Sequence, residues 1–245
     1  IDLRLGVVSF QYFEDLFSPT ITAKMVVIST SGVVSDDKTN KIESLYNGLP
    51  IRGGERVAVR IKGNSNINKG LQFDTPDTYL YVSKISNVIR DGQKEIFVLH
   101  LVSREAITNE VTHVNRKFEA YTLIDDHVKN ILQNDLKVKS NKYIFNIDPA
   151  SNKYGFLGNL KTPFQILVWL ASKATPQSQS SGGFTGYFFY QNQSGFNFRS
   201  VDSLIRGGLD GRTARTNFKA TREYTHKQFT DYINESGDFN ILTYS

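Results

Sequence analysis

Cysteine is absent from the 245 residues, which excludes disulfides and thiolate metal sites. Methionine and tryptophan each occur once. With 39% apolar residues, so little methionine suits a rigid globular protein with much polar surface. Only four histidines occur, His100, His113, His127 and His226. None stands at His-x-x-x-His or a comparable ligand spacing. His100 reads as a packed or half-exposed imidazole within a strand, and His113 and His127 fall on adjacent expected helices. No apolar run approaches the ~18–20 residues of a spanning helix, the best being Ile166–Ala171. No secretory-signal pattern is visible, and no membrane contact is expected.

The motifs of catalysis are missing too. There is no Gly-x-Ser-x-Gly elbow. Gly207–Arg212 is glycine-rich but lacks the Gly-Lys-Ser/Thr end of a phosphate loop, so a mobile loop is expected. Asp125 and Asp126 are adjacent, and adjacent helical side chains point about 100° apart, so they do not converge as an acid pair. Favourable placement at a helix start explains them better. The residues therefore suggest no catalytic site, no metal site and no cofactor.

What is plentiful is aromatic. Seventeen Phe and twelve Tyr suit β-structure and buried contacts. Glu14–Pro19 predicts a bend, because Pro19 pushes Ser18 out of the helical region. Ile21–Thr30 is β-branched and predicts a strand, and 30–40 a loop. Gly53-Gly54 is a turn signal. Arg56–Lys62 is the cleanest strand, with Val57, Val59 and Ile61 on one face and Arg56, Arg60 and Lys62 on the other. Residues 63–76 read as a polar loop. Two long strands, about 78–90 and 93–102, meet at Asp91-Gly92, a hairpin signal. Phe97, Leu99 and Leu101 face one way, while Ile96, Val98 and Val102 face the other, so cover is expected on both sides. A first third of this kind reads as a small barrel or sandwich.

The period then changes. Ile107, Val111, Val114 and Phe118 form one helical stripe from Ser103, a cap, with Arg104, Glu105, Glu110 and Arg116 on the wet side. A second helix is expected over about 125–137, with Val128, Ile131, Leu132 and Leu136 inward. Thr162, Pro163 and Gln165 open a third by the capping-box and first-turn proline rules, and Pro176 stops it. Gln177–Gly183 reads as a linker. Residues 187–198 then predict a hairpin. Tyr187–Tyr190 forms its aromatic arm, Gln191–Gly195 the reversal, and Phe196 and Phe198 share one face. Ser200 is placed to cap the next turn.

The net charge of +5 is modest for this length. It concentrates in 206–227, where Arg206, Arg212, Arg215, Lys219, Arg222 and Lys227 outnumber Asp210 and Glu223 by four. These six are candidate subunit-contact or charged-patch residues. Phe218 and Tyr224 interleave with them, as in single-strand binders. A charged loop or a protein contact is the preferred reading.

On residues alone, 187–205 is an ordinary core hairpin. The run FFYQNQSGFNFRSVDSLI over 188–205 nevertheless resembles the central baseplate hub proteins of T4-like contractile-tailed phages. Phe13–Pro19, Gly53–Val57, Ser103–Glu110 through Phe118, Thr162–Leu170 and Tyr224–Tyr244 resemble the same family, in the same order. The resemblance implies an α+β, β-rich fold. A tail-tube-like β-barrel domain is mapped to 1–102 and an intervening helix-plus-hairpin domain to 103–205. The start of a second tube-like barrel is mapped to 206–245, with too few strands to complete it. It further implies a homotrimer joining the hexameric tail tube protein to the trimeric central spike protein, beside baseplate wedge proteins. DNA would pass through the lumen without specific binding. The place is the virion tail baseplate, assembled in the host cytoplasm, and no enzymatic role follows. Alternatives are the hub-like part of a type VI secretion spike or another injection device. From other classes come a cell-wall hydrolase and a nucleic-acid binder using 206–227.

Overall fold

The computed structural model describes residues 2–30, 34–35, 42–43, 51–62, 70–91, 94–138, 145–177 and 186–206. Its first part is an antiparallel sheet. Strands β1 (Val7–Phe13), β2 (Thr22–Thr30), β5 (Arg56–Val57), β8 (Leu80–Asp91) and β9 (Lys94–Val102) lie in the order β1-β2-β9-β8-β5. The sheet curls as a half-barrel. Strict alternation drives it. On β9, Phe97, Leu99 and Leu101 are buried, and opposite them Val27, Met25 and Ala23 of β2 are buried as well. A separate ribbon, β6 (Val59–Ile61) and β7 (Leu71–Phe73), adds Val59 and Phe73 to that core.

The predicted β8–β9 hairpin is present, with Asp91 opposite Lys94. Four details differ from the expectation. A strand, β1, occupies 7–13, where no strand was expected. Strand β3 (Val34–Ser35) falls inside the expected 30–40 loop and pairs with β4 (Ile42–Glu43) beyond it. Arg56–Lys62 is not one strand. It breaks at Ala58, the first half pairing with β8 and the second with β7, and Ile61 is 40% exposed. Part of the expected 63–76 loop is β7. Nor is a closed barrel seen: among the described residues β1 and β5 each have one strand neighbour.

The second part packs helices on short sheets. Helix α1 (Arg104–Val111) starts at Ser103, whose side chain accepts from Ala106 N. It ends far earlier than the apolar stripe suggested. Val111 is 76% exposed, while Glu105 and Asn109 are buried. Val114 and Phe118 are buried outside any helix, Val114 in a bridge to Lys161 and Phe118 on β10 (Lys117–Phe118), which pairs with β12 (Phe156–Leu157). Helix α2 (Ile124–Asn130) runs into a π-helical turn, Ile131–Asp135. Val128, Ile131, Leu132 and Leu136 all point inward. Helix α3 (Pro163–Ala171) has the capping box, and Thr162 N donates to Gln165 Oε1 at 3.1 Å. It stops at Ser172, ahead of Pro176.

The hairpin is strand β13 (Tyr187–Asn192) and strand β14 (Gly195–Ser200), joined by β11 (Asn146–Ile147) parallel to β14. Gln191 and Asn192 belong to the strand, so the reversal is only Gln193-Ser194. Asn192 Oδ1 accepts from the backbone N–H of Ser194 and Gly195, both at 3.0 Å, and Gly195 takes a φ of 141° that favours glycine. Tyr187 stacks on Phe198 and Phe189 on Phe196, with centroids 4.7 and 5.8 Å apart. Helix α4 (Val201–Arg206) follows, and Ser203 N donates to Ser200 Oγ at 3.0 Å, the expected cap.

Candidate functional site

The described residues are organised at the junction of the two cores, where the β13–β14 hairpin meets the first sheet. Strand alternation turns Gln191 inward, and it is 1% exposed. A buried amide must find partners. Its Oε1 accepts from Ile21 N at 3.3 Å and from Thr20 Oγ1 at 3.4 Å. Thr20 Oγ1 also lies 3.0 Å from Ser103 Oγ, the cap of α1. The same turn buries Glu105. Burial raises its pKa, against the pull of its own backbone N–H, Arg104, Gln191 and Ser103. Its Oε2 has no hydrogen-bond partner.

Around this centre the hairpin tip is tied down. Glu14 Oε1 accepts from Gln193 N at 2.7 Å and from the Tyr12 hydroxyl at 2.8 Å. The Gln193 side-chain amide donates to Gly70 O at 3.2 Å. Phe17 meets Phe188 edge to face, with centroids 5.4 Å apart. From α1, buried Asn109 accepts from Phe164 N at 2.8 Å, so one helix caps the start of another. These bonds join residues far apart in sequence, and no local pattern marks Glu105 or Asn109 as buried or supplies the partners of Gln191.

The six basic candidates are not brought together by the described residues. Arg206 is the last residue of α4. Arg212, Arg215, Lys219, Arg222 and Lys227 lie outside the described residues, as does the glycine-rich 207–212. His100 is half-buried on β9, as expected, with Nε2 2.8 Å from Ser86 Oγ. Burial lowers its pKa, and Lys24 and Lys84 lower it further. His113 is not on a helix and is exposed, whereas His127 is buried on α2 with Nε2 2.9 Å from Tyr154 O. Asp125 and Asp126 do converge, but on a cation: Lys129 Nζ lies 3.0 and 3.1 Å from them. Asp125 also accepts from Ala150 N. Among the described residues no group of three or more His, Cys, Asp or Glu is placed to hold a metal.

Two concavities are lined by described residues. One, of about 570 Å³, opens inside the curl of the sheet, with Phe10, Met25, Val57 and Val59 on its wall and Arg56 and Arg60 on its lining. The other, about 600 Å³, lies between α1 and α3, lined by Ala106, Phe164, Val168 and Trp169 with Glu110. Neither wall pairs two carboxylates or sets a nucleophile beside a base. Among the described residues no helix is long and apolar enough to cross a membrane, which does not bear on membrane β-barrels.

No protein-family model matches the chain, and no curated protein matches it. Solved structures do align. The 43 kDa tail protein of prophage MuSo2 from Shewanella oneidensis is 12% identical, at a TM-score of 0.47, over 77% of this chain and 48% of that one. The E. coli c3393 protein is a type VI secretion component with structural similarity to T4 bacteriophage tail proteins gp27 and gp5. It is 11% identical, at a TM-score of 0.47, over 81% of this chain and 46% of that one. A tail protein from Neisseria meningitidis MC58 is 9% identical, at a TM-score of 0.45, over 77% and 44%. The chain spans less than half the length of each.

Proposed function

We propose that this chain is a structural, non-enzymatic part of a phage-type contractile tail, acting in its baseplate as a hub. The observation that carries the reading is the open sheet. Its end strands β1 and β5 each keep a backbone edge with no second strand among the described residues. Exposed edges template pairing with other chains unless covered. A cyclic arrangement of copies covers them without open growth, because each heterologous contact is satisfied when the ring closes. The junction supports the same reading: two cores tied by buried hydrogen bonds make a stiff body rather than a hinged cleft. The ordered hub-like motifs supply the kind of assembly. In this reading three copies form the ring, tail tube and central spike proteins stack on its two sides, and wedge proteins surround it. DNA passes through the lumen without specific contacts.

The test is the mass of the purified full chain by light scattering, with negative-stain micrographs of any oligomer. Three copies around a pore are expected. A monomer at every concentration, or clearing of peptidoglycan in a zymogram by this chain alone, overturns the proposal.

A further inference from the structure

The outward face of the first sheet has a charge pattern that its own fold does not use. Opposed residues on paired strands point to the same side. Lys24 of β2 lies opposite His100 of β9, which lies opposite Lys84 of β8. Three basic residues thus stand in one row across three strands, about 10 Å wide at normal strand spacing. Both lysines are exposed, and neither makes an ion pair among the described residues. Like charges directly opposite one another are destabilising in a sheet. Lys24 instead leans over the ring of Phe13, 5.8 Å from its centroid. The low pKa of His100, set first by burial and then by the two lysines, agrees with a positive field there.

Beside this row lie two rows of aliphatic side chains. Val26 faces Val98, and Ile28 faces Ile96, which faces Ile89. Ile89 is 57% exposed and the other four are half-buried. None belongs to either buried cluster or to the apolar residues packed on one. Among the outward positions of β1, β2, β8 and β9 the one carboxylate is Asp91, opposite Lys94 at the far end of the strip from the basic row. The face therefore offers an apolar strip with the Lys24, His100 and Lys84 row along one side, where no described carboxylate answers it, and the Asp91–Lys94 pair along the other.

We infer that this face docks an acidic amphipathic helix of a protein partner, its aliphatic side chains over Val26, Ile28, Ile96 and Val98 and its carboxylates over Lys24 and Lys84. A helix is about 10–12 Å across, the width of the row. A strand would need a sheet edge, and this is a face. A second copy presenting the same face offers the basic row one carboxylate, Asp91, already opposite Lys94. A nucleic acid would engage the lysines but leave the aliphatic rows wet. The inference goes beyond the tail assignment and stands without it.

The experiment uses the full chain and a fluorescein-labelled, helix-forming peptide with glutamates on one face and leucines on the other. Fluorescence anisotropy is expected to show saturable binding. Lys24→Glu with Lys84→Glu should weaken it roughly ten-fold, as expected for two exposed charge pairs. Lys24→Met with Lys84→Met, which is kinder to the fold, should weaken it less. Exposed Lys153→Glu, in the second part beside Leu123, should leave it unchanged. Four results overturn the inference: no binding, equal binding after charge reversal, tighter binding of a DNA oligomer that displaces the peptide, or dimers whose formation the Lys24 and Lys84 changes abolish.

Discussion

Glu105→Gln tests the junction most directly. Glu105 is 3% exposed, and one of its carboxylate oxygens has no hydrogen-bond partner. Burial raises its pKa in the folded chain. Unfolded, the carboxyl titrates near the ordinary glutamate value. The folded state thus holds this proton more tightly than the unfolded state does. Its contribution to stability is complete below the ordinary value and is lost as pH rises through the raised one. Glutamine keeps the shape and cannot ionise. A buried, incompletely satisfied charged group costs about 1–3 kcal/mol, so the variant should be more stable by up to that amount at neutral pH. With a urea slope of about 3 kcal/mol/M for a chain of this size, its midpoint should rise by roughly 0.3–1 M. The assay is urea unfolding of both proteins by circular dichroism between about pH 4 and pH 7.5. The gap should open as pH rises and close at the acid end. Asp135, also raised by burial, is common to both and cancels in the difference. A variant less stable at neutral pH, or a gap that ignores pH, refutes the reasoning.

Two further outcomes are expected. In a histidine NMR titration His100 should titrate below the ordinary range, and Lys84→Met should raise its pKa part of the way back, because burial is the larger cause and the lysine charge the smaller. No change on losing Lys84 would show that the row is not electrostatically coupled. Gly158→Ala should lower thermal stability by about 1–3 kcal/mol, because a Cβ there would collide with the Val114 carbonyl oxygen, beside the Val114–Lys161 bridge. Unchanged melting would mean that this crossing has slack.

Much of the fold was legible where neighbours in sequence are also neighbours in space. The alternation of Phe97, Leu99 and Leu101, the Asp91-Gly92 signal and the Thr162-Pro163-Gln165 start each state a local rule, and each element formed. The aromatic hairpin at 187–200 is of the same kind. The apolar stripe after Ser103 failed for a physical reason. Val111 lies outside the helix–core contact, while Asn109 is inward because it caps α3, more than fifty residues away. Glu105 is inward because Gln191 and Ser103 meet it there.

The sequence by itself therefore determined strand alternation, helix starts and turns, and with them the β-rich α+β class. Tertiary structure alone decided the break at Ala58, the open sheet order, the burial of Glu105 and the partners of Gln191. It also set Lys24, His100 and Lys84 side by side. The reason is range. Propensity and periodicity report what a residue prefers beside its chain neighbours. Where a polar side chain goes depends on the partner that satisfies it, and for Gln191 that partner lies 170 residues away.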